Sequence, residues 1–180
     1  MKKTVLTFGF ISGAVMAVFM VATLPFLEHI GFAKGLVVGY TGIVLAFLLV
    51  FFGIRSYRDN VKGGSLSYWR GAAVGTLIAV ISSVCYTATW EVIYYKFQPD
   101  FGQKYADNAV NKARADGKSE AEVAKVRADM QQFAENYKNP FYNSAMTFIE
   151  PFPVGLVIAL VSAGILRRGK GAGDALLATA

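Results

Sequence analysis

One cysteine and one histidine occur in 180 residues, and both scarcities exclude chemistry. With Cys85 alone, an intrachain disulfide is impossible and a multi-cysteine zinc site cannot be built. With His29 alone, the two-histidine HExxH pattern is absent, and any Ser–His–Asp relay would have to rest on that residue. The glycine-rich tail Gly169-Lys170-Gly171-Ala172-Gly173-Asp174 lacks the spacing and the Lys-Ser/Thr pair of a phosphate-binding loop. Charge is scarce too. Charged residues make up 17% and hydrophobic ones 54%, against about 25% and 45–50% in soluble domains. We assign no catalytic residue, metal ligand or cofactor-binding residue, and expect neither an enzyme nor a need for a cofactor.

What is present comes in blocks. Val5 to Leu24 contains no charge, and about 20 helical residues reach roughly 30 Å, the thickness of the hydrocarbon core. Lys2 and Lys3 precede this block, as they would a signal peptide. The run is longer than a usual signal core, however, and no clear small-x-small cleavage site precedes Pro25, so a retained span is expected. A second uncharged block runs from about Gly35 to Ile54, after a short connector in which Pro25 and Gly31 are expected to end and turn the chain. The third runs from Gly71 to Tyr95 and holds one acid, Glu91. The fourth, Phe152 to Leu166, is short and needs a leading segment within Asn143–Ile149 to cross. Glu150-Pro151-Phe152-Pro153 interrupts it, and because residues before proline disfavour α geometry, a kink or broken start is expected there. The reading is an all-α, four-span bundle forming one membrane domain over residues 1–180, with spans near 5–24, 35–54, 71–95 and 145–166.

Formal net charge is +6, but its distribution points to a membrane surface rather than nucleic acid. Lys2, Lys3, Arg55, Arg58, Lys62, Arg70, Arg167, Arg168 and Lys170 flank one side of the spans, against Asp59 and Asp174. The short loop opposite has Lys34 and Glu28. By the positive-inside rule both termini are expected in the cytoplasm, with the long stretch between the third and fourth spans outside. Arg55, Arg58, Lys62 and Arg70 fit either this orientation signal or a site for anionic lipid headgroups.

That long stretch has its own helical signals. Ser119-Glu120-Ala121-Glu122 fits a capping box. After it, Val123, Val126, Met130, Phe133 and Tyr137 recur in steps of three and four, one apolar stripe on a helix expected to end near Asn139-Pro140. Phe101, Tyr105, Ala109 and Ala113 make a weaker stripe before an Asp116-Gly117-Lys118 turn. A helical hairpin over about 100–139 is expected, packed on itself or on the membrane face.

Small residues recur every four positions: Gly9, Gly13 and Ala17; Gly35 and Gly39; Gly71, Gly75, Ala79 and Ser83; Gly155, Ala159 and Ala163. Lipid supplies little hydrophobic force between helices, so close backbone approach matters, and these stripes are expected to be packing lines.

Several segments in order, Phe8-Gly9-Phe10-Ile11-Ser12-Gly13, the loop from Tyr57 to Tyr68 leading into Gly71-Ala72-Ala73-Val74-Gly75, Pro99-Asp100-Phe101, Lys138-Asn139-Pro140 and Glu150-Pro151-Phe152-Pro153-Val154-Gly155, carry a likeness across nearly the whole chain. Together they resemble the bacterial membrane family catalogued as domain of unknown function 4199. The resemblance implies four spans in a bacterial inner membrane. It implies no activity and supplies no catalytic residues.

Glu91 and Glu150 are the candidate binding residues, with Tyr94 and Tyr95 beside them, because an ionisable group inside a span is costly and marks function by default. They fit either an outward-facing polar pocket for a cation or amine, or carboxylates at the water interface within an aromatic belt, and the belt is the expectation. His29 with Glu28 fits a pH-sensitive contact or, more simply, a solvated histidine. Three function classes follow: a structural or accessory protein, whose partners are the lipid bilayer and a second copy or another membrane protein; a small transporter or channel subunit using Glu91 and Glu150; and last a membrane enzyme. Only one block is interrupted and no internal repeat is evident, which counts against an inverted-repeat transporter.

Overall fold

Uncharged runs this long leave the backbone one economical conformation in lipid, because a helix satisfies its own N–H and C=O groups. The computed structural model describes residues 1–30 and 32–168, with side chains described for 1–26 and 34–168. In chain order the helices are α1 (Lys2–Ile30), α2 (Phe32–Val61), α3 (Tyr68–Phe97), α4 (Phe101–Ala115), α5 (Glu120–Tyr137), α6 (Pro140–Ile149) and α7 (Phe152–Leu166). Among the described residues all regular structure is helical apart from one isolated bridge, Leu66 with Arg168. Four stretches are long and apolar enough to cross a membrane: Lys2–Phe26, Lys34–Val61, Tyr68–Phe97 and Pro140–Leu166. This is the all-α, four-span class that the hydropathy blocks predict.

One boundary differs from expectation and one meets it. Pro25 does not end the first helix but lies inside α1. Losing the single bond its nitrogen would donate costs less in an apolar surround than exposing several backbone groups by leaving the helix. At the other end, the expected break falls between Ile149 and Phe152, separating α6 from α7.

The chain divides into two compact units, Met1–Tyr86 with Phe148–Ala180, and Thr87–Thr147. In the first, the spans form a ring in which α1 meets α2, α2 meets α7, α7 meets α3 and α3 meets α1. Phe47, Val50, Ile54, Val74, Ile78 and Ala159 fill its centre with no exposed surface. Small residues set the spacing. A Cβ at Gly75 would lie 2.7 Å from Ala159 Cβ, and one at Gly71 would lie 3.1 Å from Ala163 Cβ, so two of the expected stripes, on α3 and α7, face each other. Gly9 and Gly13 of α1 meet Ile81 and Cys85 of α3. On α2 the expectation shifts. A Cβ at Gly39 would meet nothing within 4 Å, and the close contacts are made instead by Gly42 against Phe19 and Gly53 against Ile78 and Phe8. Two buried serines tie helices together, Ser12 Oγ donating to Ala46 O (3.0 Å) and Ser82 Oγ to Gly9 O (3.2 Å).

In the second unit, α4 and α5 form the hairpin. Gly117 has φ 74°, the left-handed conformation that a glycine accepts without strain, and ends α4 as Lys118 N donates to Ala113 O at 3.2 Å. The capping box forms as expected: Glu122 N donates to Ser119 Oγ (3.4 Å) and Ser119 N to Glu122 Oε2 (2.9 Å). The buried line on α4 runs through Gly102, Ala106, Val110 and Ala113, sharing Ala113 with the apolar stripe and otherwise lying one residue later. The reason is close approach: a Cβ at Gly102 would lie 3.5 Å from Ala134 Cα. Small residues therefore take the contact line, and Phe101 and Tyr105 flank it half-buried. After α5, Asn139 Oδ1 accepts from Phe141 N at 2.9 Å and caps α6 at the Pro140 start.

Candidate functional site

Two prolines shape the surroundings of Glu150. Neither Pro151 nor Pro153 has an N–H, so the carbonyls four residues earlier, on Thr147 and Ile149, lose their regular helical donors. The helix stops at Ile149 and resumes at Phe152. Pro151 is fully buried, and its carbonyl accepts from Gly155 N at 3.0 Å, which starts α7. Glu150 sits in this gap, half-buried, and accepts a hydrogen bond on Oε2 from the Tyr86 hydroxyl at 3.0 Å. Ion pairs among the described residues use Asp59, Asp100 and Glu135 as their acids. Glu150 is thus held by a hydroxyl rather than by a cation.

Glu91 belongs to the other unit, where Ser144 Oγ donates to its Oε1 at 2.7 Å. The two carboxylates therefore have separate local environments. Tyr94 is buried (4% exposed), its ring 5.0 Å from Tyr95 and 5.5 Å from Tyr137. Tyr95 is about half exposed. The side chains of Glu28 and His29, and the tail from Gly169, lie outside the described residues.

Tyr94 is part of a feature the sequence reading missed. Trp90 stacks edge-on against Phe101 (4.7 Å), and Tyr137 lies 5.9 Å from Phe101 and 5.2 Å from Phe133. Each such pair contributes about 0.5–1.5 kcal/mol beyond area burial, so the last turns of α3 are firmly joined to the base of the hairpin. A polar chain threads this cluster. Trp90 Nε1 donates to Tyr137 Oη (2.8 Å), that hydroxyl lies 3.4 Å from Thr147 Oγ1, and Thr147 donates to Asn143 Oδ1 (3.2 Å). Asn143 is fully buried, and its Nδ2 has no protein partner among the described residues. Polar residues four apart on a largely apolar helix, Asn143 and Thr147, were the available signal.

On the hairpin's exposed side, Arg114, Glu120, Arg127 and Gln131 border an open groove of about 280 Å³ over Val123. Among the described residues no three His, Cys, Asp or Glu side chains converge as a metal site would require. The geometry offers a bundle core, an aromatic joint and one carboxylate at a helix break.

Four span-length helices around an apolar centre define a multi-pass α-helical membrane protein. Residues 7–168 match the model of the family described as protein of unknown function DUF4199, and the chain belongs to that family. No curated protein and no solved structure matches it.

Proposed function

We propose that this chain is a structural or interaction protein of the bacterial inner membrane, with both termini cytoplasmic and the hairpin outside. The observation that carries this reading is the filled centre of the bundle. Phe47, Val50, Ile54, Val74 and Ile78 have no exposed surface, and glycines and alanines close the helix contacts around them. Among the described residues such packing fills the middle of the bundle with apolar side chains. The orientation rests on the basic flanks at Arg55, Arg58, Arg70, Arg167 and Arg168. The hairpin, with its own capped helices and charged groove, is the part suited to meeting a partner. Purification in mild detergent tests this: the full chain is expected to carry a stoichiometric protein partner or a second copy, and replacing residues 101–137 with a short linker is expected to release it. A bare monomer in both cases would contradict the proposal.

A second reading rests on Glu150. If the hydrocarbon begins at Arg70 and Arg167, then Tyr86 lies about 24 Å along α3 from Arg70, and Glu150 sits just before the start of α7, which is about 23 Å from Arg167, both inside a core of roughly 30 Å. Glu91, about 32 Å from Arg70, falls at the water interface on the same count. A half-buried carboxylate beside freed carbonyls at a broken helix suits a cation or proton. Under this reading Glu150→Gln abolishes ion flux in proteoliposomes while Glu91→Gln leaves it intact; equal flux in wild type and Glu150→Gln would remove it.

A further inference from the structure

Three arginines lie at the end of the bundle that holds the α2–α3 loop, and two of them pair with one carboxylate. Arg58, only 9% exposed, donates through Nε and Nη2 to the two oxygens of Asp59 at 2.6 and 3.1 Å. Arg55 Nε lies 3.7 Å from the same carboxylate, within ion-pair range but too far for a hydrogen bond. Arg168 lies at the same end of the bundle. Its backbone is pinned there by the paired bonds Leu66 N to Arg168 O (3.0 Å) and Arg168 N to Leu66 O (2.9 Å). One carboxylate, already occupied by Arg58, cannot neutralise three cations, so the cluster keeps a net excess of two positive charges.

Apolar surface continues from this cluster along both helices. On α2, Leu48 and Phe52 precede Arg55 by seven and three residues, placing all three on one helical face, and both apolar side chains are about half exposed. On α7, Val161 and Ile165 are 56% and 68% exposed, and the chain leaves the helix after Leu166 to reach Arg168. An exposed apolar surface that leads to an arginine, on two helices that pack together, matches an amphiphile with an anionic head. Arginine's planar donors suit a phosphate, with its several acceptor oxygens.

We propose that Arg55 and Arg168 form a binding site for the phosphate of an anionic phospholipid, whose acyl chains lie along Leu48, Phe52, Val161 and Ile165. Asp59 has the role of holding Arg58 and drawing the other two guanidiniums together, so that the phosphate completes a preassembled cluster. Both arginines reach outward, and Arg168 keeps its bridge through the backbone, so their substitution leaves the fold intact.

The test is native mass spectrometry of the full chain in detergent, mixed with phosphatidylglycerol or with phosphatidylcholine of the same acyl length. The wild type is expected to retain phosphatidylglycerol preferentially, and Arg55→Gln and Arg168→Gln are each expected to lower that preference about fivefold. Lys112→Gln, in the hairpin, is expected to leave it unchanged, and unaltered melting of the arginine variants keeps the comparison clean. Equal retention of both lipids, or a preference that survives the Arg55→Gln/Arg168→Gln double variant, would overturn the site. Loss of bound phosphatidylglycerol to equimolar inorganic phosphate would reassign it to free phosphate and overturn the lipid assignment.

Discussion

At Gly155 an added Cβ would lie 2.6 Å from Phe47 Cζ and 2.9 Å from Ala79 Cβ, whereas at Gly39 it would meet nothing within 4 Å. Phe47 has no exposed surface and no room to swing aside. Gly155→Ala is therefore expected to cost about 1–3 kcal/mol by overpacking, and Gly39→Ala to stay within about 0.5 kcal/mol of wild type. Reversible unfolding in mixed micelles measures both, and equal losses would show that the stripes are compositional rather than contacts. Ser12→Ala, which removes a bond to Ala46 O, is expected to cost about 0.6 kcal/mol, typical of hydrogen bonds between spans. The stripes on α3 and α7 were legible because a four-residue spacing survives without knowing the neighbour. Which glycine of α2 meets a neighbour was not, since Gly39, Gly42 and Gly53 differ only in which way the helix is turned. Tyr86 escaped notice for the same reason: nothing local marks it as the partner of a carboxylate 64 residues away.

The hairpin makes its predictions as an element. Glu122 is held below its ordinary value of 4.5 by the hydrogen bonds of Ser119, and Asp100 below 3.8 by its bond from Lys104. A depressed carboxyl stabilises the folded form fully above its unfolded value, and this contribution is lost as the pH falls through the lower folded value. Wild type is thus expected to melt above Glu122→Gln at neutral pH, with the gap closing in acid below 4.5. A gap that widened on acidification would have the wrong sign. The capping box could be read directly because its donors and acceptors lie within four residues. The α4 contact line could not, because Gly102 was chosen by the approach of Ala134 rather than by its own hydropathy. Pro25 misled for a related reason. Proline is a strong breaker in water, and an apolar surround changes what breaking the helix costs.

For the molecule as a whole, long apolar runs with at most one acid gave the number of spans, since few folds other than a transmembrane helix tolerate so long a stretch with so little charge. The fourth span needed α6 as well as α7, and the Glu150-Pro151-Phe152-Pro153 interruption already placed the break. Partners leave no comparable trace in one chain, because an interaction surface has no period of its own.

The central claim is that Lys2–Phe26, Lys34–Val61, Tyr68–Phe97 and Pro140–Leu166 each cross the bilayer once. It is tested most directly by labelling single cysteines at Lys3, Gly117 and Arg168 with a membrane-impermeant maleimide in intact cells, in a Cys85→Ala background. The account predicts labelling at Gly117 alone, with Lys3 and Arg168 reacting only after the membrane is permeabilised. Labelling of Gly117 and either flanking position from the same side would contradict it.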